Sequence, residues 1–270
     1  MVLHHMNFKG KVVDCKFSPC GRSFAVCVGK LVQIWATPTM LKEFAPFRLL
    51  RTYGGMYDDA TCVAWSGDSR WIIVGGKDLT ARIYSANHIE GYVPPTLAGH
   101  REPIVAVAFA GETGDAAYTI SKDGALFEWR LEDGNGEEPE CGGGAGGVRS
   151  SASGKRRRGT GGRDSLASSA EGGAGSASKC WKMQGKHFFH QPAKLTCASY
   201  HAGSGLLCAG FGHGVFTLHR LARGSFEAVQ TLSISQEKVR TLRPDTFASI
   251  TDSYSKNSEF PNLRCLIPDL

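Results

Sequence analysis

A histidine, two hydroxyl side chains and a carboxylate are close together in the middle of the chain, followed by a tryptophan. These residues are His100, Thr119, Ser121, Asp123 and Trp129. A hydroxyl beside an imidazole that a carboxylate orients is the arrangement of nucleophilic catalysis. Buried between strands, the same groups would instead satisfy one another as a hydrogen-bonded network, because an unpaired buried polar group is costly. The elements that hold them therefore decide between the two interpretations.

The other motifs that could carry chemistry give weak signals. Gly210, Gly212 and Gly214 are spaced like the glycines of a phosphate-binding loop, but they lie between two predicted strands. Anion binding by such a loop needs a helix N-terminus directly after it, and none is predicted. We find no histidine pair with a carboxylate at metal-binding spacing and no Gly-x-Ser-x-Gly turn. We therefore expect no enzyme activity, no cofactor, no metal and no small-molecule substrate.

Composition and charge point to an ordinary intracellular protein. Five of the nine cysteines lie in apolar runs and none belongs to a Cys-x-x-Cys pair, so we expect buried free thiols. These five are Cys15, Cys27, Cys62, Cys197 and Cys208. The sequence has no apolar run of ~18 residues and no signal-peptide core, so we expect no membrane contact. The net charge of +6 permits contact with RNA or an acidic partner.

The segments that hold these residues repeat along the chain. A strand at 12–17 is followed by a Ser-Pro-x-Gly turn, a second strand at 23–28 and a third at 31–35. The alternation in the first strand is typical of a pleated surface with one buried face, and proline and glycine suit the turn. Asp78 and Asp123 follow corresponding strands and are 45 residues apart. Corresponding units cover 61–84, 104–129 and 194–218.

These units, with a Gly-His pair before the third and an aromatic closing its third strand, resemble the WD40 repeat. Such a repeat of about 40–45 residues forms one four-stranded blade of a β-propeller. The resemblance implies an all-β fold: an incomplete WD40 β-propeller with about four near-complete blades and partial first and last blades. We place the propeller at residues 2–242. Its blade units are expected at 10–53, 59–98, 99–190 and 193–234, with outer strands at 2–8, 44–53, 92–97, 181–189 and 226–234.

The WD40 resemblance also implies a role for the polar residues named first. His100, a hydroxyl at Thr119 or Ser121, Asp123 and Trp129 match the structural tetrad of a blade. In that arrangement the aspartate accepts a hydrogen bond from the imidazole, the hydroxyl extends the network and the indole N–H closes it. The first blade has glycine and lysine where the aspartate would be, and the fourth has a histidine, so these blades must rely more on apolar packing.

Residues 132–179 interrupt the third blade. Positions 134–179 hold 14 of the 34 glycines, and they cannot bury enough apolar surface to offset chain entropy. We therefore expect a long disordered loop between the third and the outer strand. The loop contains a basic cluster, Lys155, Arg156, Arg157 and Arg158. This cluster is either a nuclear-import or RNA-contacting motif or a solvated group of charges. Five other arginines near predicted strand ends are candidate phosphate contacts: Arg48, Arg51, Arg70, Arg82 and Arg101.

Several short segments carry a closer resemblance, to the periodic tryptophan protein 2 family. The most specific are Asn-Phe-Lys at 7–9, Trp-x-Thr-Pro at 35–38 and Lys-His-Phe-Phe-His at 186–190. The resemblance runs from about residue 2 to 242, apart from the loop. It implies a nucleolar scaffold of the small-subunit processome that acts in pre-rRNA processing and 18S rRNA maturation. The implied partners are the other UtpB subunits, further processome proteins, a small nucleolar RNA and pre-rRNA.

Two other functional interpretations remain open from the residues alone. A generic WD40 adaptor, for instance a substrate receptor of a ubiquitin ligase, would need the same blades. Residues 243–270 leave the repeat pattern and are expected to be disordered, which favours a truncated form or fragment without independent function. An unclosed array exposes strand edges and apolar blade faces, so we expect the chain alone to aggregate or bind chaperones.

Overall fold

The computed structural model describes residues 7–38, 47–111, 113–133, 179–222 and 224–233. Within these ranges the chain forms β-strands and turns, and no helix is present that could cross a membrane. The chain divides into two compact units, residues 1–132 with 181–270 and residues 133–180. Of the second unit only Asp133, Lys179 and Cys180 are described, each at the end of a strand.

Sixteen strands form four antiparallel sheets of four strands, and each sheet takes its strands in chain order. The first sheet contains β1 (Val12–Phe17), β2 (Ser23–Val28), β3 (Leu31–Ala36) and β4 (Arg48–Tyr53). The second contains β5 (Ala60–Trp65), β6 (Trp71–Gly76), β7 (Thr80–Ser85) and β8 (Thr96–Ala98). The third contains β9 (Ile104–Ala110), β10 (Ala116–Ser121), β11 (Ala125–Asp133) and β12 (Lys179–Phe188). The fourth contains β13 (Leu195–His201), β14 (Leu206–Phe211), β15 (Val215–Ala222) and β16 (Ser225–Ser233).

These sheets are the blades of an incomplete WD40 propeller, as the repeat predicted. The outer strand of the second blade differs from expectation, because β8 has three residues. Pro94 and Pro95 precede it and cannot donate backbone hydrogen bonds, which keeps the earlier residues out of the sheet. The expected strand at 2–8, the loop within 132–179 and the tail at 243–270 lie almost wholly outside the described residues.

Every inner strand is irregular at the same place, near its first residues. The pairing register shifts between Val12 and Asp14 in β1, and between Ala60 and Cys62 in β5. The same shift occurs where β9 begins, at Ile104, and between Leu195 and Cys197 in β13. Such bulges increase the local twist of a strand and re-aim its side chains. The repeat is therefore one of backbone geometry as well as of sequence.

Consecutive blades pack face to face through apolar clusters. Between the first and second blades, Ile34 and Val32 meet Ile72, Val74 and Tyr84. A second cluster joins the second blade to the third, and a third joins the third to the fourth. Backbone bonds add to the packing, since Ala60 N donates to Gly29 O at 2.8 Å and Leu195 N donates to Lys122 O at 2.9 Å. Each blade is thus fixed by its immediate neighbours.

Gly75 marks the closest approach between the second and third blades. A Cβ added there would lie 2.5 Å from Cγ2 of Ile104 and 2.8 Å from Sγ of Cys62. We expect Gly75→Ala to lower the free energy of unfolding by about 1–3 kcal/mol, because the blades must separate to admit the methyl group. Gly54→Ala is the matched control, since its Cβ would make ordinary contact with Leu31 at 3.7 Å. Equal urea midpoints for the two variants would contradict this account of the interface.

Candidate functional site

The strongest polar cluster is at the start of the third blade. His100 is buried and its ring stacks on Phe127, with ring centres 4.0 Å apart. Its Nδ1 lies 2.8 Å from the Ser121 hydroxyl and its Nε2 lies 2.7 Å from the Thr119 hydroxyl. The indole N–H of Trp129 donates to the same Thr119 oxygen at 2.9 Å. Two adjacent strands, β10 and β11, thus place both hydroxyls and the indole around one imidazole.

The donors and acceptors of this cluster fit one consistent order. The Trp129 indole can only donate, so the Thr119 hydroxyl accepts from it and donates onward to Nε2 of His100. His100 then carries its proton on Nδ1 and donates to Ser121, whose hydroxyl donates to Oδ1 of Asp123. Every group is satisfied in this order with a neutral imidazole.

The structure brings together all five residues that the sequence analysis selected, but it changes their connections. Asp123 was expected to accept directly from the imidazole, whereas Ser121 lies between them. Thr119 and Ser121 were alternatives for one hydroxyl position, and both take part. The bulge at the start of β9 leaves Val105 unpaired between the partners Ile120–Ala106 and Ser121–Ile104, so the chain leading from His100 into β9 is shifted by one residue relative to β10.

The arrangement is suited to holding the blade together and poorly suited to catalysis. Thr119 and Ser121 are fully shielded from solvent, so a substrate cannot reach either hydroxyl. Burial lowers the pKa of His100 to about 4, against a smaller opposing effect of the Asp123 carboxylate. The imidazole is therefore neutral near pH 7. We interpret the network as a structural element of the third blade.

The residues at the position equivalent to Trp129 in the other blades have different hydrogen-bond partners. In the first blade the Trp35 indole donates to Gln33 Oε1 at 3.2 Å. In the second blade the Tyr84 hydroxyl donates to the backbone oxygen of Gly54 at 3.1 Å. In the fourth blade Nε2 of His219 lies 2.8 Å from the Thr217 hydroxyl. The pairing register shows that these four positions are equivalent. Each of the four residues lies three places after the third-strand member of a corresponding strand pair. These pairs are Cys27–Val32, Gly75–Ala81, Ile120–Leu126 and Gly210–Phe216.

The pairings in the first and fourth blades were missed in the sequence analysis. Both join residues two apart on one strand, and such residues share a face of the sheet. The sequence signal for these pairings is a hydrogen-bonding side chain two residues before the tryptophan or histidine of the third strand. Burial lowers the pKa of His219 to about 4, and its ring stacks on Phe226 at 4.5 Å.

A groove of about 330 Å³ runs along the inner strands of the blades. Trp65, Tyr200 and Phe17 supply aromatic surface, and Asp14 and Lys16 supply charge. The Asp14 carboxylate accepts from Val63 N at 3.0 Å, so it is engaged in joining two blades. Among the described residues that line the groove, no nucleophile is paired with a base.

The described cysteines are free and mostly inert. Burial raises the pKa of the Cys62 and Cys208 thiols to about 12 and raises that of Cys27 further. Cys15 was expected to be buried and is exposed, because the outward side of β1 has no neighbouring blade among the described residues. Hydrogen bonding with Ser18 lowers the pKa of the exposed Cys20 to about 7.

The described residues contain no candidate metal site and do not include the basic cluster. In the described part of the chain, no three His, Cys, Asp or Glu residues lie close enough to hold a metal ion. The basic cluster at 155–158 lies outside the described residues, and its function stays a prediction. Of the candidate phosphate contacts, Arg70 lies 3.9 Å from the Asp68 carboxylate and is largely exposed.

Comparison with known proteins gives one family model and several relatives. Residues 47–85 match the model described as "WD domain, G-beta repeat". The chain is 39% identical over 243 residues to the periodic tryptophan protein 2 homolog of Schizosaccharomyces pombe, covering 89% of this chain and 25% of that protein. It is 34% identical to the Neurospora crassa homolog, with 88% and 24% covered, and 35% identical to periodic tryptophan protein 2 of Saccharomyces cerevisiae, with 89% and 24% covered. The chain spans about a quarter of the length of these curated relatives.

Proposed function

We propose, from the premise that this chain belongs to the WD-repeat proteins of the periodic tryptophan protein 2 family, that it serves as a non-catalytic scaffold of the small-subunit processome. In that role it acts in pre-rRNA processing and 18S rRNA maturation in the nucleolus. Its partners are the other UtpB subunits, processome proteins, a small nucleolar RNA and pre-rRNA. The observation that carries the proposal is 39% identity to one family member over 243 residues.

The extent of that similarity separates this proposal from the generic adaptor. A WD40 signature alone is shared by many unrelated adaptors, and the family model covers only residues 47–85. The similarity to family members extends over 89% of the chain, well beyond that single repeat. The third blade supports a scaffold rather than an enzyme, because its histidine and hydroxyls are buried and already hydrogen-bonded to one another.

Affinity capture tests the proposal. The chain, tagged and expressed from its own locus, is recovered under mild salt, and bound proteins and RNAs are identified by mass spectrometry and sequencing. We expect UtpB subunits and precursors of 18S rRNA to be enriched over an untagged strain. Recovery of cullin adaptors in place of processome proteins would support the ubiquitin-ligase alternative and contradict the proposed function.

The same tagged chain tests localisation. We expect nucleolar fluorescence in living cells. A variant lacking residues 155–158 shows whether the basic cluster is an import motif, since loss of nuclear entry is expected only if it is. Diffuse cytoplasmic signal from the intact chain would contradict the nucleolar assignment.

A further inference from the structure

Exposed Tyr57 and half-buried Arg82 form a pair where the first blade meets the second. Tyr57 lies in the loop between β4 and β5, and 78% of its surface is exposed. The Arg82 guanidinium carbon lies over the Tyr57 ring, 5.3 Å from its centre. Arg82 projects from β7 on the same face as Tyr84, towards this loop. The guanidinium is attracted to the face of the aromatic ring, so the two side chains hold one another in place.

The loop holds this pair in a fixed geometry. Tyr57 N donates to Oδ2 of Asp78 at 3.0 Å, and Nζ of Lys30 donates to Tyr57 O at 2.7 Å. Gly55 has φ +101°, and a Cβ there would lie 3.2 Å from Nη1 of Arg82. A glycine at this position thus lets the backbone turn and lets the guanidinium lie against it. The ring, the guanidinium and the Lys30 ammonium group are positioned without a ligand, which reduces the entropy lost on binding.

Arg82 has no acceptor within the described part of the chain. Its side chain makes neither a hydrogen bond nor an ion pair there, and its Nε is shielded from water without a partner. A guanidinium carries five N–H donors and no acceptor, and the Arg82 side chain is half-buried. Arg82 therefore retains donor capacity for a group from another molecule.

The equivalent positions in the other blades show that the fold does not require a guanidinium here. Phe127 fills the position in the third blade and is stacked on His100. Gln33 and Thr217 occupy it in the first and fourth blades, and each bonds to the residue two places on along its own strand. Arg82 stacks on Tyr57 instead, and among the described blades it is the one charged residue at this position. The fold thus accepts uncharged residues here, and a charged side chain is free to serve binding.

We propose that Arg82, Tyr57 and Lys30 bind an acidic side chain of a partner protein. A carboxylate accepts two parallel hydrogen bonds from a guanidinium, and the Tyr57 ring covers the neighbouring apolar part of the peptide. Asp58 and Asp59 follow Tyr57 in the chain, Asp59 pairs with Lys77 at 2.9 Å, and Asp78 accepts from Tyr57 N at 3.0 Å. This negative charge along the loop disfavours a continuous polyanion such as RNA more than a peptide with one acidic residue. The site would be a docking position on the proposed scaffold. This inference rests on the proposed function only because it requires a protein partner.

Selection from a displayed library of random dodecapeptides on the full chain tests the site. We expect the selected peptides to share an aspartate or glutamate, and Arg82→Gln to weaken their binding roughly tenfold, as loss of a charge-assisted pair predicts. Tyr57→Ala should also weaken binding, and it leaves the core intact because the ring is exposed. Arg70→Gln is the matched control, since that side chain is 75% exposed and belongs to a different turn.

Any one of four results would overturn the site. One is a library that yields no binders, or binders without an acidic residue. A second is equal affinity for the chain and its Arg82→Gln variant, with both folded by circular dichroism. The third is binding of a uridine dodecanucleotide that Arg82→Gln and Tyr57→Ala weaken to the same extent, which would assign the site to RNA. In affinity capture from cells, processome proteins recovered equally with Arg82→Gln and Tyr57→Ala would reject the site and leave the scaffold function standing.

Discussion

Thr119→Val is expected to lower the free energy of unfolding by about 2–5 kcal/mol, although the substitution changes little but a hydroxyl for a methyl group. Thr119 is fully buried, and its oxygen serves both Nε2 of His100 and the Trp129 indole. Valine leaves the indole without an acceptor and the imidazole without a donor. Each orphaned buried group costs about 1–3 kcal/mol, because it was bonded to water in the unfolded chain.

Thr52→Val separates this effect from a general effect of valine. Thr52 lies on β4, an outer strand, and its side chain is exposed. Substitution at exposed positions normally changes stability by less than about 0.5 kcal/mol. Urea unfolding followed by tryptophan fluorescence measures both variants. If Thr119→Val shifts the midpoint no further than Thr52→Val, the hydrogen-bonded network does not stabilise the third blade.

Acidification is the second change with a large expected effect. His100 and His219 each have a pKa lowered by burial from 6.5 to about 4. Between these values the unfolded chain binds protons that the folded chain does not, so stability falls as pH falls through the window and is fully present above pH 6.5. From pH 7 to pH 5 we expect a loss of about 2 kcal/mol for each histidine.

Unfolding free energies at a series of pH values test this, and replacement identifies the source. His219→Gln should remove about half of the dependence, because glutamine does not titrate. His88→Gln is the control, since the His88 side chain is exposed. A slope unaffected by His219→Gln would show that the imidazole stays accessible to protons in the folded chain.

The fold was predictable because its signals are local. Alternation within β1, the turn chemistry at Ser18–Arg22 and the spacing of Asp78 and Asp123 each depend on a few neighbouring residues. The short length of β8 could have been predicted from Pro94 and Pro95, since both lack a backbone hydrogen-bond donor. The exposure of Cys15 could not be predicted from the sequence, because it depends on which neighbouring blade covers β1.

The sites were predictable only in part, because they depend on register between distant segments. The WD40 resemblance identified the members of the third-blade network, but the position of Ser121 between His100 and Asp123 became visible only in the structure. Arg82 was noted only as one of several basic residues near strand ends. Its pairing with Tyr57, which lies in the loop after the preceding blade, required the packing of two blades.

The WD40 match has limits that do not coincide with a blade. Residues 47–85 begin beside β4, the outer strand of the first blade, and end with β7, the third strand of the second. A gene segment of this extent carries the last strand of one blade and the first three of the next. Copying it in tandem would lengthen the array by one blade and leave every sheet with four strands. The matched repeat is thus offset from the blade by one strand, so duplication or deletion of such a segment would change the number of blades without leaving an incomplete sheet.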